Sequence, residues 1–282
     1  MELLTNPIAL AKYLLTGMLI YGVFMVAERI RPVERHQPLS DLWFNLRWYV
    51  LYTVFSLLFQ VAGLSLIVSW LQSFTGAPLF DIPQPQTGWE YGAATFFYFA
   101  VTDFFYYWFH RCQHKLPVLW EQHKLHHSDR SLNVTSSRRV HWLEEPLLVF
   151  FLSIPMGLLF GFSGLELGLL AFTEMLWLHF IHMNLKLNLR QLSSWVTGPQ
   201  YHRIHHSFQD QHLDKNFAAF FPFWDILFGT YHAPQYNEFP ETGLHNGTIY
   251  NRLWEATLLP FRAWAGPDYL GRYFKRRSAK TR

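Results

Sequence analysis

Cysteine is nearly absent: Cys112 is the single one among 282 residues. No intrachain disulfide can form, and cysteine-bound zinc and iron–sulfur clusters are excluded. Charge is scarce too. Charged residues make up 15% of the chain, against roughly 25% in ordinary soluble domains. The net charge of +3 does not suggest nucleic acid as a partner. The zinc-hydrolase signature HExxH is missing. The opening residues, MELLTNPIAL, carry no basic n-region and no small-residue cleavage pattern. They read as the lead into a retained first span, not as a signal peptide.

Apolar residues are abundant: 50% of the chain is hydrophobic and 19% aromatic. Residues 8–28, 47–70 and 89–109 have membrane-spanning length, and 146–162 with 165–182 read as a hairpin broken at GFSG, with Pro155 kinking its first arm. The basic residues set the orientation. The 71–88 connection and the Gly161–Gly164 tip contain neither Lys nor Arg. The 29–47 connection carries Arg29, Arg31, Arg35 and Arg47, and the 110–145 connection carries Arg111, Lys115, Lys124, Arg130, Arg138 and Arg139. Both alternating sets of loops therefore predict five membrane segments, with the N-terminus outside and the C-terminus in the cytosol. The stretches FAAFFPFWDILFG and LWEATLLPFRAW are too short to span, and read as core of a cytoplasmic cap or as interfacial segments. The expected fold is all-α: an integral membrane helical bundle with a cytoplasmic helical cap. The expected organisation is spans in 1–88, a catalytic unit in 89–232 and a cytoplasmic C-terminal segment in 233–282.

The fifteen histidines are not scattered. In FFYYWFHRCQH, His110 and His114 stand at i and i+4, on one helical face. Pro117 is expected to start a new helix, on which HKLHH places His123, His126 and His127 at i, i+3 and i+4. HRIHH repeats the pattern with His202, His205 and His206 shortly after Pro199. His182 ends the last span. Gathering so many imidazoles costs free energy: protonated they repel, and neutral they leave ring nitrogens in need of partners. A divalent metal meets that need. Nine histidines exceed one metal of any usual geometry and suit two. Imidazole serves iron, copper, zinc and nickel alike. An oxygen-activating di-iron site is the best chemical fit, although spacing alone does not specify iron.

These stretches resemble the fatty acid hydroxylase / sterol desaturase superfamily of integral membrane di-iron enzymes. The resemblance is carried by DFFYYWFHRCQH, LWEQHKLHHS, RRVHWLE, HMN, PQYHRIHHS and DKNFAAFFPFWDILFGTY, roughly residues 100–232. It implies two iron ions held by His110, His114, His123, His126, His127, His182, His202, His205 and His206. It implies dioxygen as co-substrate, and hydroxylation, desaturation or demethyl-type oxidation of a membrane lipid. Electrons would come from a separate donor, of ferredoxin or cytochrome b5 type with its reductase, since no cytochrome b5 domain is fused here. Trp142 stands where the family commonly has proline. His179, one turn before His182, is a further candidate ligand. The competing class is a membrane metal-binding protein without catalysis, a transporter or sensor. Such proteins place ligands at mid-membrane depth, whereas these histidines gather at span ends.

Other residues receive supporting roles. Asp103, inside a span, is expected to accept a hydrogen bond from a ligand imidazole and fix its tautomer. His141, in an R-x-H-x-x-E pattern with Arg139 and Glu144, reads as a ligand or as a partner of one. Asp214 and Asn216 should hold the third histidine box, and Asp225 should anchor a turn that Gly229 permits. His36, His212, His232 and His245 read as bystanders, His232 least firmly so, and Cys112 as inert.

Overall fold

The computed structural model describes residues 5–59, 65–76, 78–162, 164–266, 269 and 271. These residues are mostly helical. Helix α1 (Pro7–Glu28) begins with proline at its first turn, and the Asn6 side chain accepts from the backbone N–H groups of Ile8 and Ala9. Its inner face buries Tyr21 and Glu28, while Leu15, Leu19, Val23 and Val26 are between 63% and 73% exposed. Such an apolar stripe is unfavourable in water and costs nothing in hydrocarbon. Helix α2 (Leu39–Phe59) turns Phe44, Trp48 and Tyr52 into the core. Among the described residues, α1 and α2 are the helices long and apolar enough to cross a membrane.

The span expected over 47–70 departs from this. Its helix starts at Leu39, residues 60–64 lie outside the described residues, and a separate helix α3 (Ser65–Thr75) follows. Helix α4 (Gly88–Lys115) is longer than the expected 89–109. A Thr87–Glu90 capping box opens it, and helix-compatible residues carry it through both first-box histidines. Pro117 then forces Leu116 out of helical conformation and starts α5 (Pro117–His123).

The 146–162 arm is not one helix. It consists of α6 (Glu144–Leu148), a π turn (Val149–Ser153) and α7 (Ile154–Leu159). Pro155 has no N–H to give the preceding turn, and the wide turn sits just ahead of it, where the sequence predicted a kink. Strand β1 (Phe80–Ile82) pairs in parallel with β2 (Phe160–Phe162), so the 71–88 connection meets the hairpin tip. Ser163 of the GFSG break lies outside the described residues. Helix α8 (Leu167–Ile181) returns from this end to His182. Helix α9 (Pro199–His205) carries the third box, α10 (Phe223–Leu227) follows, and α11 (Leu253–Trp264) packs by Ala256 and Leu259 against Phe44, Trp48 and Leu125. The LWEATLLPFRAW stretch is thus core material on one face.

Candidate metal centre

The three histidine boxes converge from separate elements. Helix α4 supplies His110 and His114 on one face, as expected from their spacing. The second box is not a single helical face. Helix α5 ends at His123, and His126–Ser128 form a short 3-10 turn stabilised by Ser128 Oγ donating to the Leu125 carbonyl. In such a turn successive side chains diverge by about 120°. His126 and His127 therefore point to different places. His205 and His206, at the end of the α-helix α9, diverge by about 100° as successive helical residues do.

Two groups result. His110, His114, His123, His127 and His205 form one; His126, His182, His202 and His206 form the other. Within each, the candidate ligand atoms lie within 4.8 Å of one another. In the second group His182 Nε2 is 3.2 Å from His126 Nε2 and 3.0 Å from His202 Nε2, which is 3.1 Å from His206 Nε2. In the first, His110 Nε2 is 3.2 Å from His123 Nε2. The groups adjoin: the His127 and His206 rings stack at 4.5 Å, and those of His202 and His205 are 5.4 Å apart.

Backbone carbonyls set three tautomers. His110 Nδ1 donates to Phe217 O at 2.8 Å, His205 Nδ1 to Lys215 O at 2.8 Å, and His182 Nδ1 to Leu178 O at 2.6 Å. Each Nε2 is then left with a lone pair facing inward. Left-handed backbone at Asp214 and Asn216, both with φ 60°, bends the chain that brings Lys215 O to His205. Burial, reinforced by neighbouring imidazoles, holds His110, His114, His126, His127, His202 and His206 well below the usual imidazole range; burial lowers His205 to about 3. These rings are neutral at physiological pH. The Nε2 atoms of His114, His127 and His205 are buried without any hydrogen-bond partner. Unpartnered lone pairs on neutral, converging imidazoles fit divalent metals, and Nε2 separations near 3 Å fit metal–nitrogen bonds of about 2.1 Å.

Asp103 does not touch a histidine. The expected contact is replaced by two backbone bonds, from Ala219 N at 2.8 Å and Phe221 N at 2.7 Å. Asp225 takes Phe217 N and Ala218 N at 2.8 Å each, and the Tyr201 hydroxyl. The two carboxylates pin the 217–221 segment, whose Phe217 carbonyl orients His110. Asp103 acts one step further out than expected, because a short aspartate at the helix face meets a chain with free N–H groups first. His141 is also displaced from its expected role. It lies in neither group: Nε2 donates to Thr257 O at 3.0 Å and Nδ1 accepts from Leu143 N at 3.2 Å, so both ring nitrogens are used in tying α11 down. Nor is His179 in a group. Its Nδ1 meets Ser137 Oγ at 3.1 Å and its ring stacks on Tyr21. Asn216 donates to Tyr201 O and His232 O and accepts from His232 N, which holds the third box as expected; Asp214 pairs instead with Lys115. Cys112 is half-buried on α4, outside both groups.

Three sets of contacts lay beyond the sequence reading, although Arg139 and Glu144 stand in its R-x-H-x-x-E pattern. Glu144 Oε2 lies 3.6 Å from His123 Nδ1 and is held by Gln113 Nε2 at 3.0 Å. Arg139 is fully buried, where it donates to Leu125 O, Asn45 Oδ1 and Ser128 Oγ and braces the second box. Glu174 on α8 is enclosed within the bundle, where Arg138 acts on it electrostatically. The signal for Glu174 was present: it is the one acidic residue within LGLLAFTEMLWLHF.

Two helices long and apolar enough to cross a membrane, together with two adjoining groups of buried histidines that could each hold a metal ion, are the features of a membrane histidine-box protein. Comparison with known proteins agrees. The fatty acid hydroxylase family profile matches residues 95–230. Human alkylglycerol monooxygenase is 30% identical over 167 residues, covering 59% of this chain and 36% of the relative. An ornithine lipid hydroxylase from Rhizobium tropici is 30% identical over 135 residues, 48% of this chain and 40% of the relative. A cholesterol 25-hydroxylase-like protein from Danio rerio is 30% identical over 143 residues, 46% of this chain and 52% of the relative. No solved structure matches. Residues 95–230 thus match the fatty acid hydroxylase family, and the relatives support the fatty acid hydroxylase / sterol desaturase superfamily for this part of the chain. The chain spans about a third of the length of the alkylglycerol monooxygenases it matches.

Proposed function

We propose that this protein is a membrane-bound di-iron oxygenase that hydroxylates an unactivated C–H bond of a lipid, using dioxygen and electrons from a separate donor. The observation that carries this reading is the pair of adjoining, buried histidine groups, each with its candidate ligand atoms within 4.8 Å of one another. Bound there, two iron ions would supply the oxidising power that no side chain has. His110, His114, His123, His127 and His205 would hold one, and His126, His182, His202 and His206 the other. The carbonyls of Phe217, Lys215 and Leu178 keep the Nε2 lone pairs aimed inward. Asp103 and Asp225 keep the Phe217 carbonyl in place. The relatives' names support hydroxylation over desaturation, and lipids that carry a polar group. Tyr106, its ring 5.4 Å from that of His110, would wall the approach from the bundle, with Arg138 and Glu174 meeting the polar part of the lipid.

The membrane arrangement belongs to the same proposal. The loops free of Lys and Arg meet in the β1–β2 pair at one end, and α4 carries the chain from there to the histidines. From Gly88 to His110 the helix rises about 33 Å at ~1.5 Å per residue, close to the ~30 Å of a bilayer core. This supports a multi-pass protein with its N-terminus outside and the histidines and C-terminus in the cytosol, in the inner membrane if the cell is bacterial. There the metals meet both a lipid tail and a soluble donor, of ferredoxin or cytochrome b5 type with its reductase. Histidines gathered at one end, rather than strung through the bundle, favour an enzyme over a transporter or sensor. The test is lipid mass spectrometry of cells with and without the protein. A product heavier by one oxygen atom is expected. Loss of two hydrogens would mean desaturation, and an unchanged lipid profile under iron-replete, aerobic growth would overturn the enzyme reading.

A further inference from the structure

We propose that His212, His232 and Glu238 form a third metal site, for a zinc-class divalent cation, apart from the two histidine groups. The three residues come from different segments. His212 closes the 3-10 turn Asp210–His212, His232 follows the α10 turn, and Glu238 lies further along the same loop. Their candidate ligand atoms lie within 4.8 Å of one another. Glu238 Oε1 is 3.0 Å from His212 Nε2 and 3.1 Å from His232 Nε2, and Oε2 is 3.2 Å from His232 Nε2. Two imidazole nitrogens thus converge on one carboxylate oxygen. Zinc bonds of about 2.0–2.2 Å set edges of about 3.3–3.5 Å in a tetrahedral site, so a cation fits with shifts of a few tenths of an ångström. The donor set, two histidines and one carboxylate, is one zinc accepts with water in the fourth position.

Independent contacts hold Glu238 and the His232 backbone, while burial alone confines His212, whose Nδ1 has no hydrogen-bond partner. The Glu238 carboxylate also receives Gln235 N at 2.9 Å, His232 N donates to Asn216 Oδ1 at 2.8 Å, and His212 is 1% exposed. Gln200 Nε2, on the helix of the third box, donates to Gln235 O and Glu238 O at 2.6 and 2.8 Å. Orienting contacts of this kind sharpen a ligand set before the ion arrives. A cation here would clamp the 232–238 strap onto the turn that follows the third box. Its role is structural, since none of its ligands belongs to either histidine group.

The test uses the full-length purified protein carrying its iron. It is equilibrated with zinc, dialysed, and analysed for zinc and iron content and by zinc-edge X-ray absorption. Wild type should retain one zinc per chain, with a nitrogen/oxygen shell containing two imidazoles. His232→Gln, at a partly exposed position, and Glu238→Gln, which keeps the side chain's size, should each lose that zinc while iron content stays the same. Zinc should also raise the thermal midpoint of wild type but not of either variant. Equal zinc retention in wild type and the variants would overturn the site. So would a zinc shell of more than two imidazoles, which would locate the zinc among the nine clustered histidines. No retained zinc in wild type would mean a hydrogen-bonded triad only.

Discussion

The Nε2 atoms of His126 and His182 lie 3.2 Å apart although 56 positions separate the residues in the chain. The His182 ring proton is already committed, because Nδ1 donates to Leu178 O. Its Nε2 is therefore a bare lone pair, and it faces His202 Nε2 as well, at 3.0 Å. One proton on a neighbouring ring can satisfy one of these approaches, not both. A cation at the centre satisfies all of them, which is why the metal-free arrangement is the costly one.

His126→Ala should abolish lipid hydroxylation and reduce bound metal from two ions to one. The loss should exceed the ~10–100-fold typical of residues that only orient a ligand. His245→Ala should leave both quantities unchanged, since His245 is exposed and outside every histidine group. Product formed per folded protein, with metal content of each variant, is the measurement. Near-normal turnover and two metals in His126→Ala would remove the histidine groups as the catalytic centre.

Asp103→Asn should act through the 217–221 segment. An amide offers one acceptor oxygen where the carboxylate offers two, so either Ala219 N or Phe221 N loses its bond and meets an N–H group instead. Stranding a buried donor costs about 1–3 kcal/mol. The thermal midpoint should fall. The metal held by His110 should bind more weakly, because Phe217 O no longer fixes that ring, while the ion beside His182 is retained. Equal weakening of both ions would indicate general unfolding and not this linkage.

The metal-stripped protein should lose stability as pH falls from about 7 to 5. Burial holds His110, His114, His126, His127, His202 and His206 far below the usual range, and His205 at about 3. The unfolded chain takes up protons near pH 6.5 while the folded one does not, so unfolding is favoured on the acid side. Each such histidine contributes a slope of about 1.4 kcal/mol per pH unit below ~6.5. The stability is fully present above that pH. Thermal melts of chelator-treated protein at pH 7.5 and 5.5 measure it, and equal midpoints would contradict the buried, neutral state of these rings.

Much of this centre was legible in the sequence. HxxxH on a continuous helix means one face, and His110 and His114 indeed share a group. So does His202 with His206, for the same reason. What the sequence could not convey was the break after His123. No proline or glycine marks it, and the 3-10 turn that sends His126 and His127 apart depends on a Ser128 hydrogen bond and on bracing by Arg139. The carbonyls that orient His110 and His205 were equally hidden, because main-chain oxygens carry no residue signature. Asp103 was rightly singled out as a costly buried charge, but burial does not name the partner. His141 shows the converse. It sits in a family-like pattern, yet its contacts are with the Thr257 carbonyl and the Leu143 N–H. His212 and His232 read as bystanders in the sequence, yet both Nε2 atoms meet the Glu238 carboxylate, because distance along the chain says little where the loop returns on itself.

The scarcity of cysteine makes the membrane orientation testable. Cys112 is half-buried on α4 and lies in no histidine group, so Cys112→Ser should fold and provide a cysteine-free background. Gln86→Cys then marks the connection that carries no Lys or Arg, and His245→Cys marks the opposite end; both positions are exposed. In intact cells a membrane-impermeant maleimide should label Gln86→Cys, and should reach His245→Cys only after permeabilisation. The reverse pattern would place the histidines outside, away from cellular electron donors, and would break the link between the basic-residue distribution and the proposed reaction. Labelling of both positions in intact cells would be just as damaging, because it would put the two ends of α4 on one side of the membrane. At ~1.5 Å per residue, the 28 residues of α4 extend about 42 Å. That length exceeds the hydrocarbon core of about 30 Å, so a crossing would carry Lys115 beyond the hydrocarbon on the cytosolic side, where a soluble donor could reach the centre.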